Sequence, residues 1–417
     1  TYRLLVSSEF KSIKMSGFTE EYISAVLSKT ANENNIRDWS YTQVKFKNIA
    51  QNYFGIIFPI VLSGKRDGKE LIMKLVLKLA PNDERFRVSG AVTVMFAREI
   101  YVYSVVLKKY QAIQRLFPVP SQYIMPQCYY IQKEPCNEVI VLQNMCGEGY
   151  RPYTHEMFLD LDHTVISLES LAKLHALSYI LKHKNPNIYS EISQTCVPLT
   201  EQSNARYIAI VIDRLDKAMT KFQNTEYVPL LQTLKQNCGK FYDAAVNSVL
   251  NTCICHGDMW KENILFKYDE DNKPVSACMI DYQTTRICCP AFDTIYLIIS
   301  STNTELRKQH FRQLLDIYYQ TFASVLKAVD LNSEEIYSRQ MFDNDVKVVS
   351  PACLITANTA LWLLNGLQDE GHVRSKLIWN TKEEKEHAVN IYRQTIKAII
   401  DDLTSYGYLI LINNNVS

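Results

Sequence analysis

The sequence predicts an α+β fold in two parts, a small β-rich part followed by a larger, mostly helical part. Three observations lead to this prediction. Strand-like runs with alternating apolar residues and an Asp-Gly turn dominate the first 146 residues. Beyond them, apolar residues recur mainly at three- and four-residue spacing, as on one face of a helix. The second part contains strand-like runs only around residues 253–281, and this pattern is typical of an α+β protein.

In the first part, residues 18–33 predict an amphipathic helix, and residues 92–110 predict a second helix through apolar residues at helical spacing. A turn at Asp67-Gly68 predicts a hairpin between two of the strands. The predicted strands cover residues 40–46, 54–63, 71–79, 123–131 and 138–145.

A break at Gly147-Glu148-Gly149 separates the two parts. We therefore predict an N-terminal extension and helix over 1–39, a small lobe over 40–146 and a helical lobe over 147–417. The helices predicted in the last region cover residues 162–182, 206–222, 230–250, 305–325, 346–367 and 382–403.

Composition excludes several classes of function. The 417 residues are enough for two sizeable cores. A formal net charge of +1 gives no electrostatic basis for binding nucleic acid. No apolar run reaches the roughly 18 residues of a membrane-spanning helix, so we predict no membrane span. We expect Met15 to be the native start, or the first fourteen residues to be a peripheral extension. The sequence carries no signal for the oligomeric state.

The chain has 11 cysteines without the spacing of a disulfide framework. Cys253, Cys255, His256 and the pair Cys288-Cys289 suggest a zinc cluster as one interpretation, but their spacing fits no standard zinc pattern. Buried free thiols in a reducing compartment explain them better. We therefore expect a cytoplasmic protein.

The motif that carries chemistry is His256-Gly257-Asp258-Met259-Trp260-Lys261-Glu262-Asn263, followed by Ile280-Asp281. The spacing from Asp258 to Asn263 is that of a kinase catalytic loop, in which the aspartate accepts the proton of a substrate hydroxyl and the asparagine holds Mg²⁺. Asp281 follows after an apolar run, where a second metal-holding carboxylate is expected. An acidic turn between two buried strands is the simpler alternative. We predict phosphoryl transfer from ATP, with Asp258 as the base and with Asn263 and Asp281 as ligands of Mg²⁺.

This motif resembles those of aminoglycoside phosphotransferases and choline kinases, which have His-Gly-Asp at this place. The longer string HGDMWKENILF, then IDYQ, then Pro-x-x-Asp at residues 290–293, resembles the ecdysteroid kinase-like family still more closely. The resemblance extends over residues 40–405 and is strongest between residues 253 and 297. It implies a bilobal, protein kinase-like fold, ATP and Mg²⁺ as cofactors, and a small-molecule alcohol as the acceptor.

A kinase also needs a strand lysine that neutralises the nucleotide phosphates and a helix glutamate that holds this lysine. Lys78 precedes Pro81 by three residues, as in the family, and Glu99 lies in a stretch that resembles the family's Phe-x-x-Glu-x-x-x-Tyr helix. We predict the pair Lys78 and Glu99. Lys74, on the same face of the strand, is the alternative lysine.

Two other segments imply nucleotide contacts by resemblance. Asn52-Tyr53 match the phosphate-covering loop of the family, although the glycine that usually precedes them is absent. The strand over 139–145 resembles the hinge that binds adenine mainly through its backbone, which assigns Gln143 and Met145 to the nucleotide site. His175 and Asp293 also match family motifs, and we expect them to support the structure around the catalytic loop.

Three functions remain open at this point. Resemblance favours a kinase acting on an ecdysteroid or another apolar alcohol. A choline- or aminoglycoside-type kinase would need acidic groups near a cationic acceptor, and Asp369-Glu370 could supply them. A pseudokinase that only binds a hormone is the third alternative. The apolar segment 352–362 predicts either a wall of the acceptor pocket or a buried core helix.

Overall fold

A computed structural model describes residues 18–44, 55–82, 87, 91–115, 117–118, 121–249, 251–367, 379 and 381–409. These residues form two compact units. The first contains the described residues of 18–44, 55–96 and 127–144, and the second contains those of 97–126 and 145–409. The lobe boundaries that we predicted at residues 40 and 147 remain predictions.

The first unit is built on an antiparallel sheet. Within the described residues the sheet has five strands in the order β1-β2-β3-β5-β4. Helix α1 (Glu20–Glu33) begins at Thr19, whose hydroxyl accepts the N–H of Tyr22 at 3.2 Å. Apolar residues of α1 and of the central strands form the core. The strands are β1 (Arg37–Gln43), β2 (Ile56–Arg66), β3 (Lys69–Leu79), β4 (Cys128–Gln132) and β5 (Val139–Gln143).

The second unit is mostly helical. Its described helices are α3 (Leu107–Gln114), α4 (Leu161–Lys184), α5 (Pro186–Thr195), α6 (Ala205–Lys221), α7 (Tyr227–Gln236), α8 (Cys238–Asn247), α9 (Pro290–Ser301), α10 (Thr304–Lys327), α11 (Ser333–Ile336), α12 (Arg339–Leu364) and α13 (Lys382–Ser405). Its described strands are β6 (Arg151–Pro152), β7 (Cys253–Cys255), β8 (Ile264–Tyr268), β9 (Pro274–Met279) and β10 (Arg286–Cys288).

Four predicted elements differ clearly from those observed. The helix predicted over 346–367 is α12, which begins earlier, at Arg339. The helix predicted over 230–250 is two helices, α7 and α8, which meet at Asn237. The helix predicted over 92–110 begins as α2 (Ala91–Tyr101) but passes through a π-helical turn at Val102–Val106 before α3 begins. The strand predicted over 123–131 is shorter, because β4 begins at Cys128.

Helix α9 was not predicted, and its burial explains why. Every residue from Pro290 to Ser301 is buried, so the segment has no polar face from which a helical period could be recognised. Pro290 stands at the first helical position, where its fixed backbone angle and missing N–H are tolerated. This helix packs against α12 and lies directly after β10.

Helix α12 (Arg339–Leu364) is the one helix in the described part of the chain that is long and apolar enough to cross a membrane. Its most apolar window has a mean hydropathy of 1.4, and 78% of that window is buried inside the protein. The thiol of Cys353 donates to the carbonyl of Phe292 on α9 at 3.4 Å. The segment 352–362 is therefore packed as a core helix.

The predicted fold class is confirmed. A small β-rich unit and a large, mostly helical unit make an α+β protein, and each unit has its own buried core. The second unit contains the whole predicted catalytic motif, so the geometry of that motif can be described within a single unit.

Candidate active site

Strand pairing places Asn263 and Asp281 close together. Strands β8 and β9 form an antiparallel hairpin in which Ile264 pairs with Met279. One residue beyond this pair, the N–H of Ile280 donates to the carbonyl of Asn263 at 3.0 Å. Asn263 therefore directly precedes β8, and Asp281 follows shortly after β9, at the same end of the hairpin. The pairing that the sequence predicted through the apolar run 276–280 is confirmed.

Asp281 has a left-handed backbone, with φ +69° and ψ 64°. Aspartate tolerates this conformation better than most residues with a Cβ, and such angles are enriched at functional sites. Immediately after it, Tyr282 begins a short 3₁₀ helix, and the Tyr282 ring packs at 5.5 Å from Tyr103 and 4.9 Å from His256. The Tyr282 hydroxyl also shares a 2.5 Å hydrogen bond with Tyr123. These contacts fix the backbone on the C-terminal side of Asp281.

A second strand pair holds the start of the catalytic loop. Strand β7 pairs with β10 so that Cys255 lies opposite Arg286. The Arg286 guanidinium is buried and donates to the carbonyl of Gly257 at 2.6 Å. Gly257 has φ +87°, and a Cβ there would lie 2.2 Å from the carbonyl oxygen of Thr284. Only glycine fits this point of the loop.

Asp293, near the start of α9, anchors the loop backbone from beneath. Its carboxylate accepts the N–H of His256 at 2.7 Å and the N–H of Gly257 at 3.1 Å. His175 on α4 lies 3.3 Å from the same carboxylate through Nε2, and its Nδ1 lies 2.6 Å from the hydroxyl of Tyr318. Both His175 and Asp293 are fully buried. They occupy the supporting positions that we expected.

His256 connects the loop to the segment that carries Asp281. Its Nε2 lies 3.0 Å from the carbonyl of Ile280, and its Nδ1 lies 3.4 Å from the N–H of Asp258. Burial lowers the pKa of His256, so the ring is neutral at pH 7. A neutral ring with the proton on Nε2 donates to Ile280 and accepts from Asp258. His256 therefore shapes the site and is not placed as a base.

Asp258 lies in a partly buried position with both carboxylate oxygens bonded. Oδ2 accepts from Nδ2 of Asn263 at 3.0 Å, and Oδ1 accepts from the hydroxyl of Tyr296 at 3.3 Å. Burial, and then the negative charge of Asp281, raise the pKa of Asp258 to about 6, against the lowering effect of these two hydrogen bonds. A carboxylate with this pKa can take a proton near neutral pH more readily than an ordinary aspartate.

The donor set suits a hard cation. Nδ2 of Asn263 is occupied by two hydrogen bonds, to the backbone carbonyl of Asp258 at 2.8 Å and to its Oδ2. In the described part of the chain, no hydrogen-bond donor reaches Oδ1 of Asn263. An amide oxygen and the carboxylate of Asp281 are the ligand types that Mg²⁺ prefers. The residues present therefore fit a magnesium ion.

The predicted nucleotide residues are distributed over both units. Lys78 lies on β3 in the first unit and is 4% exposed, with its Nζ 6.0 Å from the Phe96 ring centroid. Glu99 lies on α2 in the second unit and is 1% exposed. Burial of both charged side chains is unusual and requires partners. Their pairing with each other remains a prediction, and Lys74, the alternative, is exposed on the same strand.

The two residues predicted at the hinge, Gln143 and Met145, are described by the structure, and their contact with nucleotide remains a prediction. Gln143 is the last residue of β5, and its N–H donates to the carbonyl of Gln127 at 2.8 Å. Met145 begins a short 3₁₀ helix, and its carbonyl accepts from Tyr150 at 3.0 Å. Asn52 and the pair Asp369-Glu370 lie outside the described residues.

The cysteines near the loop do not form a convincing metal site. The ligand atoms of His175, Cys253 and Cys255 lie within 4.8 Å of one another. However, both ring nitrogens of His175 are already bonded, and burial raises the pKa of both thiols. A cysteine that binds zinc must do so as a thiolate. All 11 cysteines are free, in agreement with the free-thiol interpretation.

Sequence reasoning missed Arg286 and Tyr296. Both side chains are buried and contact the catalytic loop directly. Neither Arg286 nor Tyr296 lies in an element or motif that the sequence analysis identified. A buried charge or hydroxyl beside a catalytic motif could have marked them, but the sequence does not show which residues are buried.

Comparison with known families gives the decisive observation. The profile of the ecdysteroid kinase-like family matches residues 50–331, more than half of the chain. The chain belongs to the ecdysteroid kinase-like family. The predicted resemblance is confirmed, and membership indicates a phosphotransferase of the small-molecule kinase type with the kinase-like fold. No curated protein sequence matches the chain significantly.

The solved structures that match the chain are distant from it in sequence. A GDP complex of an aminoglycoside 2'-phosphotransferase is 12% identical over 93% of this chain and 99% of that one, with a TM-score of 0.46. A choline/ethanolamine kinase family protein from Mesorhizobium loti is 10% identical over 92% and 99%, with a TM-score of 0.39. A glucosamine kinase bound to glucosamine, ADP and inorganic phosphate is 11% identical over 93% and 88%, with a TM-score of 0.38.

Proposed function

We propose that the protein is an ATP- and Mg²⁺-dependent kinase that phosphorylates a hydroxyl group of a small, largely apolar alcohol, with an ecdysteroid as the first candidate. The observation that carries this proposal is the carboxylate of Asp258, which is bonded to Asn263 and lies beside Asp281 in a partly buried site. A protein that only bound a hormone would have no need of a desolvated carboxylate next to two oxygen ligands.

Asp258 would act on the acceptor. Asp258 orients the acceptor hydroxyl and takes its proton while the hydroxyl oxygen forms a bond to the γ-phosphorus of ATP. The bond between the γ-phosphorus and the oxygen that bridges it to the β-phosphate breaks, and ADP leaves. The pKa of about 6 lets Asp258 be ionised at pH 7 and still accept a proton. Its two hydrogen bonds, to Asn263 and Tyr296, orient the carboxylate before the substrate arrives.

Asn263 and Asp281 would hold magnesium through oxygen. When bound, the ion would neutralise negative charge on the nucleotide phosphates. The hairpin fixes Asn263, and the left-handed backbone turns Asp281 at the end of β9. The family resemblance also assigns Lys78 to the nucleotide phosphates and Glu99 to holding this lysine.

The acceptor side would include Tyr207 at the first turn of α6. Its ring is partly exposed and meets the buried ring of Tyr242 edge-on at 5.9 Å. Burial raises the pKa of Tyr207, and the negative charge of Asp258 adds to that rise. The phenol therefore stays protonated close to the base. An aromatic ring with a single hydroxyl donor can pack against an apolar alcohol and bond its hydroxyl.

The test is a direct assay of product. Purified protein, ATP and Mg²⁺ are incubated separately with an ecdysteroid, with choline and with a simple phenolic alcohol, and each acceptor is examined by mass spectrometry for one added phosphate. Asp258→Ala, in which we expect only a low residual rate, serves as the matched control. Phosphate on the ecdysteroid is the expected result. Phosphocholine without steroid phosphate would favour a choline-type kinase, and no product with any alcohol would contradict the proposal.

A further inference from the structure

Each carboxylate oxygen of Asp258 is held by a different element. Asn263, immediately before β8, donates to Oδ2 at 3.0 Å, and Tyr296, in the second turn of α9, donates to Oδ1 at 3.3 Å. We propose that Tyr296 is a positioning residue for phosphoryl transfer, because its hydroxyl fixes the rotation of the Asp258 carboxylate that Asn263 alone would leave free. This inference rests on the proposed kinase function.

The position of Tyr296 in the fold supports this role. Asp293 and Tyr296 are three residues apart on α9 and so lie on one face of the helix. Asp293 accepts the N–H groups of His256 and Gly257, while Tyr296 reaches the side chain of Asp258. A single helix therefore holds the catalytic loop at its backbone and at its reactive group.

The helix itself is rigidly placed. Every residue of α9 is buried, and Tyr296 is 1% exposed. Its ring lies 6.5 Å from that of Phe292, one turn earlier, and Phe292 in turn packs against the Arg286 guanidinium at 4.9 Å. A hydroxyl carried by such a ring has little freedom to leave Asp258. A group near the reacting atoms that is fixed by its own packing is what precise positioning requires.

The chemistry of the hydroxyl fits a donor and not a second base. Tyr296 is fully buried beside a carboxylate, and burial raises its pKa well above 10. The phenol therefore keeps its proton and donates to Asp258 throughout the working range of pH. A buried hydroxyl that merely satisfied its own hydrogen-bonding need would show the same contact, so the experiment must separate the two roles.

Tyr296→Phe removes the hydroxyl and keeps the ring. We expect kcat to fall roughly tenfold, as one lost hydrogen bond to a charged group would allow, while KM for ATP stays within about twofold. The matched control is Tyr337→Phe. Tyr337 is an equally buried tyrosine whose hydroxyl donates to the carboxylate of Asp345 at 2.8 Å and not to that of Asp258. This control should change kcat by less than about twofold.

A double-mutant cycle with Asp258→Ala separates positioning from structure. If Tyr296 acts through Asp258, the residual rate of Asp258→Ala will be unchanged when Tyr296→Phe is added, because nothing remains to be positioned. If Tyr296→Phe lowers that residual rate by the same factor as in the wild type, the role is structural and the inference is overturned. Equal loss of kcat in Tyr296→Phe and Tyr337→Phe would overturn it as well.

Failure of the kinase proposal can be recognised independently. The same cycle is measured on the thermal midpoint, where a bond between Tyr296 and Asp258 predicts non-additivity on the order of 2 °C. Additive midpoints would refute the bond and with it the inference. Non-additive midpoints in a wild-type protein that phosphorylates no alcohol would instead refute the proposed function, while the contact on which the inference depends would stand.

Discussion

Asp258→Asn is expected to stabilise the protein at neutral pH while it abolishes turnover. Burial and the charge of Asp281 raise the pKa of Asp258 from 3.8 to about 6 in the folded protein. Since the folded-state pKa lies above the unfolded one, the carboxyl binds more protons when folded. The free energy of unfolding must therefore fall as pH rises between these two values, and it stays lowered above them.

The magnitude follows from the two pKa values. The rise to about 6 corresponds to about 3 kcal/mol of lost stability once the carboxylate is fully ionised. Between pH 4.5 and pH 8 about 2 kcal/mol of this loss develops. Asparagine carries no charge and avoids the loss. It places an amide N–H against one of the two donors, Asn263 or Tyr296, which costs about 1 kcal/mol at every pH.

The assay compares thermal midpoints of the wild type and Asp258→Asn between pH 4.5 and pH 8, in EDTA and without nucleotide. Titrating groups that do not interact with Asp258 affect both proteins alike, so the difference in midpoint reports Asp258 together with its interaction with Asp281. We expect the thermal midpoint of the variant, relative to that of the wild type, to increase by a few degrees between pH 4.5 and pH 8. A difference that is the same at both ends of the range would refute the argument, because it would mean that the carboxylate is not desolvated. Binding of ATP and Mg²⁺ should remain nearly intact, while turnover falls by a factor of about 10² to 10⁴.

Three further outcomes are expected. Gly257→Ala should lower the free energy of unfolding by several kcal/mol, because its Cβ would lie 2.2 Å from a backbone oxygen. Gly407→Ala, with φ +72° and nothing within 4 Å of the new Cβ, should lower it by about 1 kcal/mol. Urea unfolding of the two variants measures both values. ATP should bind at least tenfold more tightly with Mg²⁺ than without it, and Asp281→Asn should remove most of that gain; equal affinities in calorimetry would count against the metal assignment. Lys78→Met should weaken ATP binding at least tenfold and the exposed Lys74→Met less than twofold; the reverse order would move the phosphate-binding role to Lys74.

The catalytic motif was predictable because its geometry is local. The spacing from Asp258 to Asn263 and the apolar run before Asp281 lie within one hairpin, and a hairpin register follows from the chain itself. The sequence could therefore bring these three residues together without knowledge of the rest of the fold.

The residues that support this motif were only partly predictable. Tyr296 and Arg286 meet the loop across 38 and 29 residues of chain, through the packing of α9 and the pairing of β7 with β10. Asp293 was found because it matches a family motif, and its hydrogen bonds to backbone N–H groups could not be read from its neighbours. Long-range contacts of this kind depend on tertiary packing, which local patterns do not encode.

Some helices were predicted wrongly for a related reason. The π-helical turn at Val102–Val106 inserts a residue into a helix whose apolar spacing gave no sign of it. It brings Tyr103 against Tyr282, the residue after Asp281. A helix that is apolar on all sides, such as α9, likewise gives no periodic signal.

Asp293 is fully buried and Asp258 is partly buried, and these two aspartates show how one site can separate anchoring from chemistry. Burial alone would raise the pKa of both. At Asp293 the hydrogen bond from His175 and the charge of Arg286 outweigh burial, and the pKa is lowered. The charge of Arg286 also lowers the pKa of Asp258, but burial and the negative charge of Asp281 outweigh it, and the pKa rises to about 6. Asp293 thus stays ionised and keeps the backbone of the loop in place, while Asp258, two residues from the anchored N–H of His256, can exchange a proton near neutral pH. Two like groups can take different roles when their environments push their pKa values apart. Here His175 of α4 lowers the pKa of Asp293, and the negative charge of Asp281 raises the pKa of Asp258.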